Sequence, residues 1–142
     1  MSAIGGRICY GKGASATELM LAMSRAMVLR GRDQRGAYLK AEGWLFQNRS
    51  AADGGAPWFQ QPLTAKKEGF PYTAVLDGRI WGRGEWNGMS GDFVSESDVM
   101  LALDCYLAYG TSFLKHLDGT FALAIWDERR GELILAVDHE GS

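Results

Sequence analysis

The sequence predicts one α+β domain, residues 1–142, with mixed or mostly antiparallel sheets, and three observations predict it. An early strand-like stretch is followed at once by a capped amphipathic helix. A short hairpin pattern occupies residues 36–47. The last third runs from a polar helix start at Ser97-Asp98 through an apolar helix to an Asp118-Gly119 turn and two apolar strands. Neither repeats nor a linker interrupt this order.

Residues 3–10 read as the first strand, with Gly11-Lys12-Gly13 as its exit turn. Ser15-Ala16-Thr17-Glu18 has the form of a capping box, in which hydroxyl and carboxylate satisfy each other's backbone N–H groups. Leu19, Met23, Ala26, Met27 and Arg30 lie beyond it at helical spacing, and Gly31 is placed to close the helix in a left-handed conformation. Met20, Met23 and Met27 are expected to fill core space, since methionine adapts to irregular gaps. Residues 36–40 and 43–47 predict a hairpin with Ala41-Glu42 at its tip. The small and polar residues at 50–57 predict a loop, as do 65–71. Residues 72–76 predict a strand, Asp77-Gly78 a tight turn and 79–81 a returning segment. Four glycines within residues 82–91 predict a mobile loop.

In the last third, Ser97 is the expected N-cap, Asp98 sits in the favourable first turn and Gly110 ends the helix. Residues 112–117 predict a short helical turn. Residues 120–127 and 132–139 predict a hairpin around Glu128-Arg129-Arg130-Gly131. The stretch 121–126 is apolar at alternate and intervening positions alike, as expected of a strand buried on both faces.

A hydrophobic content of 46% over 142 residues is enough for a real core. A net charge of −2 and an isoelectric point near 5.7 argue against nucleic acid as a partner, because phosphate binding needs a basic face. No apolar run is long enough to cross a bilayer, and residues 1–15 lack a signal-peptide core, so a cytoplasmic location is expected. Two cysteines, Cys9 and Cys105, make no disulfide framework, and no spacing resembles a metal site, so neither a metal nor a cofactor is expected. Cys105 lies in a helical pattern as a small buried hydrophobe and Cys9 reads as structural. His116 and His139 read as surface or turn residues.

Several segments in order resemble the class II glutamine amidotransferase domain of asparagine synthetases. Met1-Ser2-Ala3-Ile4-Gly5-Gly6 matches its start, where cysteine comes after the initiator. Arg30-Gly31-Arg32-Asp33 with Gly36 is similar to its Arg-Gly-Pro-Asp segment. Leu45-Phe46-Gln47-Asn48-Arg49 lies where it has a histidine-rich segment ending in arginine, and Gln61-Pro62 matches a Gln-Pro pair. Asp77-Gly78-Arg79-Ile80-Trp81-Gly82 resembles its Asn-Gly-Glu-Ile-Tyr-Asn, and Ser97-Asp98 its helix-starting Ser-Asp. The resemblance implies an N-terminal-nucleophile hydrolase-like layered fold, incomplete at the C-terminus because the family domain continues past Asp138-His139-Glu140-Gly141.

It also implies roles. Ser2 would be the nucleophile with its own α-amino group as base. Arg49 would grip the α-carboxylate of glutamine bidentately and Asp98 its α-ammonium. Asp77 and the Gly78 N–H would stand at the oxyanion. Two of these depart from the family. A hydroxyl at Ser2 replaces a thiol and depends wholly on its base. Asp77 replaces an asparagine amide, so a carboxylate faces developing negative charge where loss of one donor costs about 3–4 kcal/mol. Three readings stay open. The first is an amidotransferase-like domain with lost or weak glutaminase activity, keeping an amino-acid pocket or docking a synthetase-like partner. The second is an active N-terminal-serine hydrolase that releases ammonia from glutamine, and the third a structural interaction domain. An unpaired sheet edge would favour association with a partner or a second copy.

Overall fold

The computed structural model describes residues 2–9, 17–40, 42–50, 61–82 and 97–140. The expected turn at 11–13, the Ser15 cap, the loop at 51–57 and the loop at 83–91 lie outside them. The chain divides into two compact units, Met1–Leu63 and Thr64–Ser142.

The first unit orders as β1 (Ser2–Ile8), α1 (Thr17–Ala26), a 3-10 helix (Val28–Arg30), β2 (Gln34–Lys40) and β3 (Gly43–Arg49). Its three strands pair antiparallel in the order β1-β3-β2. β3 is central because its residues 43–48 are all buried, a run that suits only a strand covered on both faces. The β2–β3 hairpin falls where the sequence predicts it, with register Lys40↔Gly43 through Gln34↔Arg49. α1 covers one face, with Met20 packed against Trp44 and Phe46 and with Met23 and Met27 beside them, so the methionines do fill the core.

Two details differ from expectation. Leu19 is exposed, and the buried positions of α1 are Met20 and Ser24. The inward stripe is centred nearer Met20 and Ser24, with Met23 and Met27 at its flank, because the polar Ser24 finds a buried partner on β3. Gly31 is extended, with φ −169°, and closes the 3-10 helix. Glycine is needed there for space, because a Cβ would run into the backbone of Asn48 and Arg49.

The second unit orders as β4 (Leu63–Lys67), β5 (Phe70–Gly82), α2 (Asp98–Tyr109), a 3-10 helix (Gly110–His116), β6 (Asp118–Asp127) and β7 (Glu132–Val137), with sheet order β4-β5-β6-β7. Residues 65–71 are a hairpin and not a loop. Glu68 and Gly69 take positive φ of 53° and 83°, the backbone of a two-residue hairpin turn whose twist matches the strands. Glutamate seldom adopts that conformation, which hides the turn from a composition reading. The hydroxyls of Thr64 and Thr73 meet across the pair at 2.9 Å.

Asp77-Gly78 is likewise no turn. β5 runs straight through it, with Asp77 opposite Ala122 and Gly78 opposite Phe121. The Asp-Gly pair serves a different need: Gly78 has φ +120°, and a Cβ there would strike the Thr120 carbonyl.

α2 starts as expected, with Ser97 Oγ accepting from the Met100 N–H at 3.2 Å, and Gly110 ends it at φ 59°. Val99, Ala102, Leu103 and Cys105 are buried, as are Val75 and Ile125 on the sheet. Tyr106 meets Phe113 edge-on at 5.5 Å between ring centres. The β6–β7 hairpin forms as expected, and β6 is buried from Leu123 to Asp127. The observed class is therefore α+β with antiparallel sheets, as expected of an N-terminal-nucleophile hydrolase-like fold. Among the described residues, no helix is long and apolar enough to cross a membrane.

Gly31→Ala should lower stability by about 2 kcal/mol or more, because two backbone segments must separate to admit one methyl group. Urea denaturation at unchanged slope is the measurement. A loss no larger than that of an exposed glycine would show that the close approach is dispensable.

Candidate active site

In the first unit, strand register places two of the expected site residues together. Ser2 begins β1 and lies opposite Arg49 at the end of β3, which is opposite Gln34 of β2. Directly opposed residues share a sheet face, so the Ser2 hydroxyl and the Arg49 side chain project from the same side. Gln47, two residues earlier on β3 and 5% exposed, projects there as well. Ser2 is itself only 9% exposed.

Three contacts fix this row. The Asp33 N–H donates to the Arg49 carbonyl at 3.0 Å. Arg30 Nε donates to the Ser2 carbonyl at 3.3 Å, which brings a guanidinium beside the first strand residue. Gly31 lets the same segment lie against the backbone of Asn48 and Arg49. The Arg-Gly pair at 30–31 is the sequence signal for this arrangement. Helical periodicity assigns Arg30 to a helix face, which conceals its reach to Ser2.

In the second unit, Asp77, Gly78 and Asp98 come together on β5. Asp98, at the start of α2, accepts from the Ile80 N–H through Oδ2 at 3.2 Å. The carboxylate thus sits two residues along the strand from Gly78. Its helix-first position also sets it against the positive end of the helix dipole.

Phe121, which opposes Gly78, directs both backbone groups the other way. Its N–H donates to Asp138 Oδ2 at 2.8 Å and its carbonyl accepts from the Asp138 N–H at 3.0 Å. Gly78 and Phe121 therefore form a non-hydrogen-bonded pair of the ladder, and the Gly78 N–H faces away from β6. Asp138 Oδ1 also accepts from the Glu140 N–H at 2.8 Å. No motif marks Asp138 in the sequence, and its role shows only once β6 and β7 are paired.

Other titratable groups serve the core. Burial and the neighbouring Asp104 carboxylate push the Cys105 thiol up to about 12. Burial, with the hydrogen bond from Tyr106 Oη to Asp127 Oδ2 at 2.7 Å, raises the Tyr106 phenol further. Desolvation alone raises the Asp104 carboxyl. His116 stacks on Tyr109 at 4.0 Å and is exposed, as is His139. Among the described residues, no three His, Cys, Asp or Glu side chains group so as to hold a metal ion.

The antiparallel α+β architecture suits an N-terminal-nucleophile hydrolase-like layered fold, with Ser2 opposite Arg49 in the first unit and Gly78 opposite Phe121 in the second. The chain belongs to the glutamine amidotransferase domain family, whose model matches residues 1–142. It is 30% identical over 128 residues to asparagine synthetase B of Escherichia coli (strain K12), covering 85% of this chain and 22% of that protein. It is 31% identical over 86 residues to the glutamine-hydrolysing asparagine synthetase 3 of Bacillus subtilis (strain 168), covering 58% of this chain and 14% of that protein. It is also 35% identical over 89 residues to the amidase chry2 of Gibberella zeae, covering 61% of this chain and 13% of that protein. The chain thus spans less than a quarter of the length of the curated relatives it matches.

The raised Cys105 thiol makes stability pH-dependent. The unfolded chain loses that proton near about pH 8.5–9 and the folded chain near 12, so the folded state binds more protons in between. Stability is fully present below that window and falls as pH rises through it. Tyr106 adds to the fall in the same direction. Cys105→Ala should therefore show a shallower decline than the parent between about pH 9 and pH 11 in urea titrations. An unchanged slope would refute the assignment.

Proposed function

We propose that this domain is an amidotransferase module whose glutaminase chemistry is lost or weak, and that it acts beside a synthetase-like domain or subunit. One observation carries the reading: the row that begins with Ser2 presents a hydroxyl, and the residue leading into the Gly78 amide is Asp77. In this reading residue 2 attacks the side-chain amide carbon of glutamine while its α-amino group takes the proton. Negative charge then forms on the carbonyl oxygen. The Gly78 N–H donates to it, and Asp77 opposes it. Collapse would release ammonia and leave an ester on Ser2, which water would hydrolyse to glutamate. Both the weak nucleophile and the misplaced carboxylate raise the same first barrier.

The pairing of Ser2 with Arg49 supports a retained grip on the α-carboxylate of glutamine by Arg49, and the family resemblance assigns Asp98, in the second unit, to the α-ammonium. An active serine amidohydrolase is the second reading. The buried setting of Ser2 and the guanidinium held beside it favour that reading over a purely structural domain.

Among the relatives are proteins named asparagine synthetases and proteins named amidases, so the acceptor is assigned to the partner and not to this module. β7 supports docking of that partner or of a second copy. Among the described residues it is the edge of its sheet, and Leu135 and Val137 are 72% and 59% exposed. The chain is taken to work in the cytoplasm, where a glutamine supply meets it.

Ser2→Cys alone should leave ammonia release from glutamine near the parent level, because Asp77 still faces the oxyanion. The pair Ser2→Cys with Asp77→Asn should exceed it by about a hundredfold, the loss typical of one oxyanion donor. Full recovery from Ser2→Cys alone would defeat the Asp77 argument. N-terminal sequencing comes first, because a retained Met1 removes the base. In calorimetric titration, glutamine should bind the parent and lose that binding in Arg49→Met. Absence of any heat in the parent would reduce the module to a scaffold.

A further inference from the structure

α1 rests on its sheet mainly through methionines. Met20, Met23 and Met27 lie against Trp44 and Phe46. Methionine is unbranched and reshapes itself easily, so such a contact fixes how close the helix lies but not where it lies along β3. The directional contact is a reciprocal pair. Ser24 Oγ donates to Asn48 Oδ1 at 2.8 Å, and Asn48 Nδ2 donates to the Ser24 carbonyl at 2.7 Å. Asn48 is 0% exposed and Ser24 8%. These two bonds tie α1 to the sheet at a single point along β3.

The segment after α1 reaches residue 2. The 3-10 helix Val28–Arg30 ends with the guanidinium that donates to the Ser2 carbonyl, and Gly31 seats its backbone on Asn48 and Arg49. Asn48 and Arg49 are in turn the cross-strand partners of Ala3 and Ser2. We propose that the Ser24–Asn48 pair is a positioning device: it sets the register of α1 on β3, and so holds the Arg30 guanidinium at residue 2, where the positive charge favours a deprotonated nucleophile. Ser24 and Asn48 project to the helix-covered face, opposite Ser2 and Arg49, so they touch no substrate and act through Arg30. A lone polar pair that fixes register in an apolar interface is an attested use of buried hydrogen bonds.

The inference rests on residue 2 as the reacting group, and its test needs no glutamine. In an S2C background with Met1 removal confirmed by mass, the protein is treated with iodoacetamide over a pH series. Labelling is read at the N-terminal peptide by mass spectrometry, which separates it from Cys9 and Cys105. S24A/N48L removes both bonds but leaves the Ser24 carbonyl without its amide donor, so it should lose stability. Labelling is therefore read where urea titration shows it still folded. Its labelling at neutral pH should slow about tenfold and its pH midpoint rise, because a thiolate loses its nearby cation. S24A, which removes one of the two bonds, should shift the profile less, and S24T should restore it. A profile unchanged in both S24A/N48L and S24A shows the pair to be structural only and overturns the inference. A profile that shifts while no variant ever yields ammonia keeps the inference and removes the amidotransferase reading of residue 2.

Discussion

The position of β3 between β1 and β2 is the constraint on which the first half of the site depends. Every buried residue of β3 faces either α1 or the opposite side, and the alternation is strict. A slip of one residue would move Trp44, Phe46 and Asn48 to the side that now carries Gln47 and Arg49. The packing of Trp44 and Phe46 against α1 and the Ser24–Asn48 pair would be lost, so contact with α1 enforces the register that puts Arg49 opposite Ser2. The chemistry of the row is a by-product of a packing rule.

The second unit solves its problem differently. Its strand β5 is long, and it carries Asp77 and Gly78 within a paired stretch instead of presenting them at a turn. Glycine at φ +120° allows the backbone to pass close to Thr120 and still reorient one peptide group. α2 then anchors to the same strand through Asp98. One strand therefore aligns an amide donor and a carboxylate, using backbone geometry at one and a helix terminus at the other.

Much of this is legible in the residues. Cap and stop signals at Ser97 and Gly110 are local, and the helix obeys both. The hairpins at 34–49 and 118–137 are visible because alternation and turn residues agree there. The departures share one cause. Gly31, Glu68-Gly69 and Asp77-Gly78 escape their usual turn chemistry, because tertiary contact or an uncommon backbone conformation decides each of them. The stripe of α1 extends to Ser24, which a sequence reading leaves out because a buried serine counts as polar until its partner Asn48 is known. Of the candidate site, the resemblance supplies the residues; strand pairing adds Gln47 and Asp138 as neighbours, and a hydrogen bond from the 3-10 helix brings Arg30 to Ser2.

Phe121 links two distant parts of the chain. It stands between Gly78 on one strand and Asp138 beyond the end of another, and Asp138 occupies both of its backbone groups. Losing the carboxylate at residue 138 would strip the Phe121 N–H of its acceptor and loosen β6 at the point where it opposes Gly78. Tolerance to mutation at positions 78 and 138 is therefore expected to covary, although the two side chains need never meet. A carboxylate just beyond β7 thus steadies the strand segment against which the Gly78 backbone is packed.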